Sequence, residues 1–483
     1  MIHLSFFDVL LVAHLFFGRF IIFYMVLVII VYSLMLLFAV FHFRKGLKMD
    51  KYVIDENNLD MLYSKPVSII VPAYNEELGI VGTISSLLSL QYPQFEIIVV
   101  NDGSHDGTKD AVIKHFDMTK VDRSVRTILP TKPVVDIYES TVHPNIILVN
   151  KVNGGKADAL NVGINISSFP YFCSIDGDSI LETTSLLRVM DPIIASNDEV
   201  IAVGGSVRIA NNFDIQMGTI MSTAISNNPI VIMQIIEYIR AFFMGRIALS
   251  QYNLVLIISG AFSVFSKKWT IKAGGYSTDT IGEDMELVVR LHRYVREHKL
   301  HKRIEFVPDP VCWTEAPESL ADLRKQRRRW HQGLLGSLWM HRKMTLNPKY
   351  GNIGLLSFPY FWIIEFFGPL IELGGYIYII ISFMVGNLFL ESAIIMTALF
   401  VLYGAVLSAC SILLEAWGLN SYPRIRDITK LMLFSLTETF WYRPLTILFR
   451  LEGIWNYIRK YNDWGQLKRQ GLSQKQSSKG KIR

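Results

Sequence analysis

The chain has 483 residues, 51% hydrophobic and 19% charged, and its 48 basic and 42 acidic residues leave a net charge of +6. Soluble globular proteins carry about 25% charged residues, so a wholly soluble chain is excluded, as are disorder and collagen-like architectures. The three cysteines, Cys173, Cys312 and Cys410, form no Cys-x-x-Cys pair, which excludes a disulfide framework and a zinc ribbon.

Residues 4–42 hold only Asp8, Arg19 and two histidines among nearly continuous apolar residues. Ile21 to Phe41 is uncharged and long enough to span a bilayer, which takes about 20 apolar residues. Leu4 to Phe17 is too short and reads as an interfacial or re-entrant piece. The stretch is longer than the apolar core of a cleaved signal peptide and lacks its basic start, so a retained anchor is expected. Arg44, Lys45 and Lys48 follow the span directly, which puts the next domain in the cytoplasm.

From about residue 50 to 345 the pattern is α/β. Val67–Val71 and Phe95–Val100 are short β-branched runs, with helical apolar spacing at Leu78, Val81, Ile84, Leu87 and Leu88 between them. That is a βαβ unit with a parallel sheet. Asn145–Val149 and Tyr171–Ile175 are further buried strands. Ligands of such sheets bind beyond the carboxyl ends of the strands. Each strand here runs into polar or acidic residues: Tyr74-Asn75-Glu76, Asn101-Asp102, Asn153-Gly154-Gly155-Lys156 and Asp176-Gly177-Asp178.

Each motif has a functional and a plain reading. Asp176-Gly177-Asp178 suits a hard divalent cation held by carboxylates and substrate phosphates, or is a solvated turn. Gly154-Gly155-Lys156, opening a helix over 157–165, is an anion cradle or an ordinary loop. It lacks P-loop spacing. Glu283 and Asp284 open another helix, where a carboxylate is an N-cap or a catalytic base. Five of the six residues from Arg324 to Arg329 are basic, on a helix whose apolar face reads as Leu320, Leu323, Trp330, Leu334 and Leu338. This basic stretch is a solvated face, a nucleic-acid contact, an attraction to anionic lipid, or a pyrophosphate clamp with Trp330 as a sugar platform.

After residue 350 come three apolar stretches: 353–385, with Pro359, Glu365, Pro369 and Glu372; 388–414; and 431–448, with Glu438, Arg443 and Pro444. Ionisable groups inside spans face a bundle interior or a pathway; an interfacial helix before a shorter span is the other reading for Glu365 and Glu372. The tail from Arg459 to Arg483 carries eight basic residues and one acidic, Asp463, and reads as cytoplasmic. The expected division is 1–48 membrane anchor, 49–345 cytosolic domain, 346–458 membrane and interfacial helices, and 459–483 basic tail.

Taken in order, Val71-Pro-Ala-Tyr-Asn-Glu76, Asn101-Asp-Gly-Ser104, Gly155-Lys-Ala157, Asp176-x-Asp178, Glu283-Asp284 and Gln326-x-x-Arg-Trp330 resemble the motifs of family 2 glycosyltransferases. The Gln-x-x-Arg-Trp element between membrane helices is similar to the processive polysaccharide synthases, which make cellulose, chitin, hyaluronan and poly-N-acetylglucosamine. The resemblance implies a GT-A-like, mainly parallel α/β domain between N- and C-terminal transmembrane helices of the cell membrane. It implies inverting transfer from a UDP-sugar to a growing polysaccharide, coupled to export. By residue, it puts Tyr74, Glu76, Asp102, Lys156, Asp176 and Arg329 around the nucleotide sugar, and Asp178 with Asp176 at Mg²⁺ or Mn²⁺. Asp284, beside Glu283, becomes the catalytic base, and Gln326 and Trp330 the acceptor end. Chemically, a metal and arginines stabilise the departing diphosphate, and a carboxylate activates a weakly nucleophilic hydroxyl.

Two departures stand out: Gly282 where the family often has Thr, and Asn101 where it often has Asp. No appended PilZ-like domain is expected, so cyclic-di-GMP control would need a partner, and accessory export or regulatory proteins fit the same scheme. Nucleic acid is not an expected partner. Two other functions fit less of the motif set: a non-processive membrane glycosyltransferase acting on a lipid or glycan, and a receptor or transporter with a nucleotide-binding domain.

Overall fold

A computed structural model of the protein describes residues 6–53, 64–216, 219–222, 225–385, 390–418 and 424–460. Leu4, the tail beyond residue 460 and most of the 386–390 connection lie outside them. The strands are β1 (Val67–Ala73), β2 (Phe95–Asn101), β3 (Met118–Val121), β4 (Val134–Ser140), β5 (Ile146–Lys151), β6 (Tyr171–Ile175) and β7 (Ile180–Leu181). They continue with β8 (Val200–Ile209), β9 (Asp214–Gln216), β10 (Thr219–Ser222), β11 (Phe262–Ser266) and β12 (Arg303–Thr314).

Ten strands form one sheet in the order β3-β4-β5-β2-β1-β6-β11-β8-β12-β7. Its centre is parallel, with Val67 opposite Phe95 and Tyr171, and Ile97 opposite Ile146. These strands are apolar without alternation and almost wholly buried, as expected where helices cover both faces. Ile80–Leu88 and Lys156–Ile166 are two of those helices. The sheet is mixed rather than mainly parallel. β3, β4 and β5 follow one another without crossover helices and pair antiparallel, and β11 runs back between β6 and β8.

The N-terminal helix is continuous from Phe6 to Val53. There is no separate interfacial piece before Gly18 among its described residues: the backbone stays helical, and Gly18 lies against Tyr378. Among the described residues, three segments are long and apolar enough to cross a membrane: Val12–His42, Ile353–Met384 and Leu390–Gly418. Ile21, Tyr24, Met25 and Val28 of the first share a buried cluster with Tyr378, Met396, Phe400 and Tyr403 of the others.

The stretch 431–448 is not one span. It divides into the helix Ile425–Ser435, a π-helical turn Glu438–Tyr442 and the helix Arg443–Ile458. Its ionisable residues face inward. Arg443 binds Glu372 through two hydrogen bonds of 2.7 and 2.8 Å. Glu438 binds Arg240 at 2.8 and 3.0 Å.

Candidate active site

The parallel strands β5, β2, β1 and β6 end side by side at one edge of the sheet. The loop after each lines a single cleft of about 1650 Å³, which reaches as far as Glu365 on the membrane helices. Every site residue expected from the sequence, from Tyr74 to Trp330, lines it.

The loop after β1 is stitched to the loop after β2. Asn75 adopts a left-handed backbone with φ +56°, which asparagine tolerates better than most residues. Its amide donates to Ser104 Oγ at 3.0 Å, and its side-chain oxygen accepts from the His105 amide at 2.9 Å. The Glu76 amide donates to Thr108 Oγ1 at 2.9 Å. Tyr74 is left at the rim, edge-on to His105 with centroids 6.3 Å apart.

Asp102 is buried and committed inside the protein. Its Oδ1 accepts from Lys151 Nζ at 2.5 Å and from the Gly154 amide at 2.9 Å; its Oδ2 accepts from the Gly155 amide at 2.7 Å. Lys151 also pairs with Asp158 at 2.7 Å and is fully buried. A carboxylate expected to meet the nucleotide thus already holds the glycine loop. Gly103 makes this approach possible: its φ is +67°, and a Cβ there would lie 2.9 Å from the Asn153 nitrogen. Asn101, the departure from the common Asp, bonds Asn150 of β5 at 2.8 Å.

Lys156 begins its helix and reaches Asp176 Oδ1 at 2.5 Å and Glu283 Oε1 at 3.7 Å. Burial opposes its charge, but Asp176, Glu283 and Asp284 together hold its pKa above the ordinary range. The Asp-Gly-Asp turn is anchored where Thr83 Oγ1 donates to the Gly177 carbonyl at 2.8 Å. Among the described residues no three potential ligands cluster. The donor set, Asp176 and Asp178 on an open cleft, fits a Mg²⁺-like or Mn²⁺-like ion that takes its remaining ligands from phosphates and water.

Glu283 and Asp284 open the helix Glu283–Glu297. Asp284 Oδ2 accepts from the Gly260 amide at 3.1 Å, which fixes the carboxylate at the start of β11. Glu283 is buried. Burial pushes its carboxyl up to about 7; Lys156 and Arg329 act against the rise, and Asp284 adds to it.

The basic helix Leu320–Met340 divides its arginines. Arg324 and Arg328 pair outward with Glu452. Arg327 is buried against Glu237 at 2.7 Å and Tyr442 at 3.3 Å. Arg329 lines the cleft and acts on Glu283. The expected apolar face is corrected: Leu323 and Leu338 are buried, but Leu320 and Trp330 are 43% and 44% exposed. The buried side carries Gln326, Arg327, His331 and Gln332 instead, because it faces ionic groups of the cleft and the C-terminal helix. Trp330 stands over the cleft, 6.1 Å from the Tyr238 ring.

Comparison with known proteins bears on the family. The family model for glycosyl transferase family 2 matches residues 68–274, and that for glycosyl transferase family group 2 matches residues 175–413. The chain carries a glycosyl transferase family 2 domain over residues 68–274. The poly-beta-1,6-N-acetyl-D-glucosamine synthase of Staphylococcus epidermidis is 31% identical over 299 residues, 60% of this chain and 60% of its own. That of Staphylococcus aureus strain COL is 31% identical over 296 residues, 61% of this chain and 60% of its own. The match thus spans three fifths of the length of these relatives. A mannosyltransferase from Pyrobaculum calidifontis, solved with GDP-Man and Mn²⁺, aligns over 87% of this chain and 99% of its own. Its TM-score is 0.51 at 16% identity, a likeness of fold.

Several residues in the cleft or buried behind it escape sequence reasoning. Lys151 and Asp158 flank the glycine motif; the signal was a lysine ending an otherwise apolar strand. Glu237 and Arg246 lie in an apolar stretch, where isolated charges were the clue. His331 directly follows Trp330 and gave no separate signal.

Proposed function

We propose that this glycosyltransferase moves a sugar from a UDP-sugar, UDP-N-acetylglucosamine first among them, to the end of a growing polysaccharide, with inversion at the anomeric carbon. One observation carries the reading. The Asp-Gly-Asp turn, the Glu283-Asp284 helix start and the Gln326-x-x-Arg329-Trp330 helix line one cleft that continues to the membrane helices. The named relatives support the sugar.

In this scheme Tyr74 and Glu76 flank the nucleotide, and Asp102 acts through the loop it holds. Lys156 and Arg329 face the diphosphate. Asp176 and Asp178 would hold a divalent cation, which would supply positive charge to the leaving group. Asp284 removes the proton of the acceptor hydroxyl; direct displacement then needs no covalent sugar–enzyme bond. Gln326 and Trp330 seat the acceptor sugar. Glu283, beside Lys156, tunes the charge of the site.

The protein is a membrane protein in this reading, with residues 49–345 and the tail both cytoplasmic. Among the described residues two candidate spans follow residue 350, an even number, which agrees with the basic residues after the first span and in the tail. Residues 1–48, 346–458 and 459–483 are then anchor, membrane helices and tail. Export of the product along the cleft, with accessory proteins, belongs to the same proposal.

The test is turnover by the full chain in nanodiscs against a panel of UDP-sugars, with and without excess EDTA. UDP-N-acetylglucosamine should be consumed, and EDTA should abolish the reaction. Binding of UDP-sugars without any turnover would overturn the reading.

A further inference from the structure

Beyond Trp330 the cleft contains polar atoms that the protein leaves unused. Buried polar groups are nearly always hydrogen-bonded, and each exception calls for an explanation. Among the described residues, Arg246 Nη1 and His331 Nε2 are buried without a hydrogen-bond partner, and both residues line the cleft. Neither is loosely held. The Arg246 guanidinium lies 3.7 Å from the centroid of the Phe242 ring, and the His331 ring stacks on Phe366 at 5.5 Å with planes 10° apart.

Their chemistry is complementary. Arg246 is a pure donor. Burial, with the nearby Arg450 charge, pushes the His331 pKa down to about 3, so the ring is neutral at neutral pH. It bonds the Phe366 backbone through its other nitrogen, so Nε2 is an acceptor. The carboxylates that act on Arg246 are Asp284 and Glu365. Glu365, which accepts from Tyr32 at 3.2 Å and Tyr360 at 2.7 Å, marks the membrane end of the cleft. Two carboxylates around one arginine disfavour a phosphate. A donor, an acceptor and the aromatic walls of Tyr238, Phe242 and Trp330 suit a neutral sugar.

We propose that Arg246 and His331 form a saccharide subsite on the membrane side of Trp330, which reads hydroxyl and amide groups of sugars already joined to the acceptor. This rests on the polysaccharide reading above. It gives the π-helical turn Ile239–Arg246 a role, since such turns recur at functional sites.

The experiment measures binding of a β-1,6-linked N-acetylglucosamine pentasaccharide to the full chain in nanodiscs in the presence of UDP, alongside UDP binding and UDP-sugar turnover. Arg246→Gln and His331→Leu should each weaken pentasaccharide binding at least tenfold and leave UDP affinity within twofold, which also reports a folded site. Arg246→Lys, which keeps the charge but loses the planar fork, should weaken it less than Arg246→Gln. Wild-type pentasaccharide affinity in both the Gln and Leu variants would overturn the subsite. So would a wild-type protein that turns over a UDP-sugar yet binds no pentasaccharide, and the transferase reading would then survive. Absence of turnover with every UDP-sugar would strike that reading first, and this inference with it.

Discussion

Gly282 and Gly333 face each other so closely that a Cβ on Gly282 would lie 3.0 Å from the Gly333 Cα, and one on Gly333 would lie 2.9 Å from the Gly282 Cα. This contact presses the start of the Glu283-Asp284 helix against the helix carrying Gln326, Arg329 and Trp330. The departure from the family's common threonine therefore has a local reason: position 282 has no room for a side chain while Gly333 stands opposite.

Gly282→Thr, the substitution toward the family pattern, should separate the two helices. Overpacking of this kind costs about 1–3 kcal/mol. We expect a lower Tm and a fall in kcat larger than any change in UDP affinity, measured by thermal denaturation and steady-state turnover. A variant with wild-type Tm and kcat would show that the contact yields without consequence.

Asp284→Asn should lower kcat by about 10²–10⁴-fold, the usual cost of losing a general base. The Gly260 amide still finds an oxygen at the substituted side chain, so UDP affinity should hold. Turnover near the wild-type rate by a folded variant would remove Asp284 from the chemistry.

Lys151 joins Asp102 and Asp158 where all three are buried. Lys151→Met leaves two carboxylates without their cation, and removal of one member of a buried ion pair costs about 3–5 kcal/mol. Denaturant unfolding of the variant should show a loss of this order. An unchanged midpoint would mean that the loop 153–156 does not depend on the pair.

Much of this was legible in the sequence because it is locally encoded. The strands β1, β2, β5 and β6 are short continuous apolar runs that end in turn residues, and the motifs sit where those runs stop. What escaped depends on partners distant in the chain. The break in the stretch 431–448 was legible in Glu438, Arg443 and Pro444; what the sequence did not show is that Glu438 pairs with Arg240, 198 residues away. The helix Leu320–Met340 has an apolar stripe on paper, but its buried side mixes Leu323, Leu335 and Leu338 with polar residues, which meet Glu237 and the C-terminal helix there. The π-helical turns that carry Arg240, Glu365 and Glu438 hold residues paired across the fold. Asp102 lies in the cleft with the rest of its motif, but only the folded loop reveals that its oxygens are spent on Lys151 and two amides.

Glu283 gives a pH signature. Its carboxyl is pushed from its ordinary 4.5 up to about 7, first by burial. The folded protein therefore holds a proton that the unfolded chain has already lost, and stability falls as pH rises from about 4.5 to 7. Glu283→Gln removes this term. Its Tm should decline less than that of the wild type across that interval, and parallel Tm profiles would show that Glu283 carries no such shift.

The account's central claim is that one cleft both transfers sugar and feeds a polymer toward the membrane helices. The most direct measurement is the size of the product formed from radiolabelled UDP-N-acetylglucosamine by the full chain in nanodiscs, with Asp284→Asn as the control. The account predicts long saccharide chains that an N-acetylglucosaminidase degrades, and no product from the control. Products limited to one or two added sugars, or label incorporated equally by the Asp284→Asn protein, would contradict it.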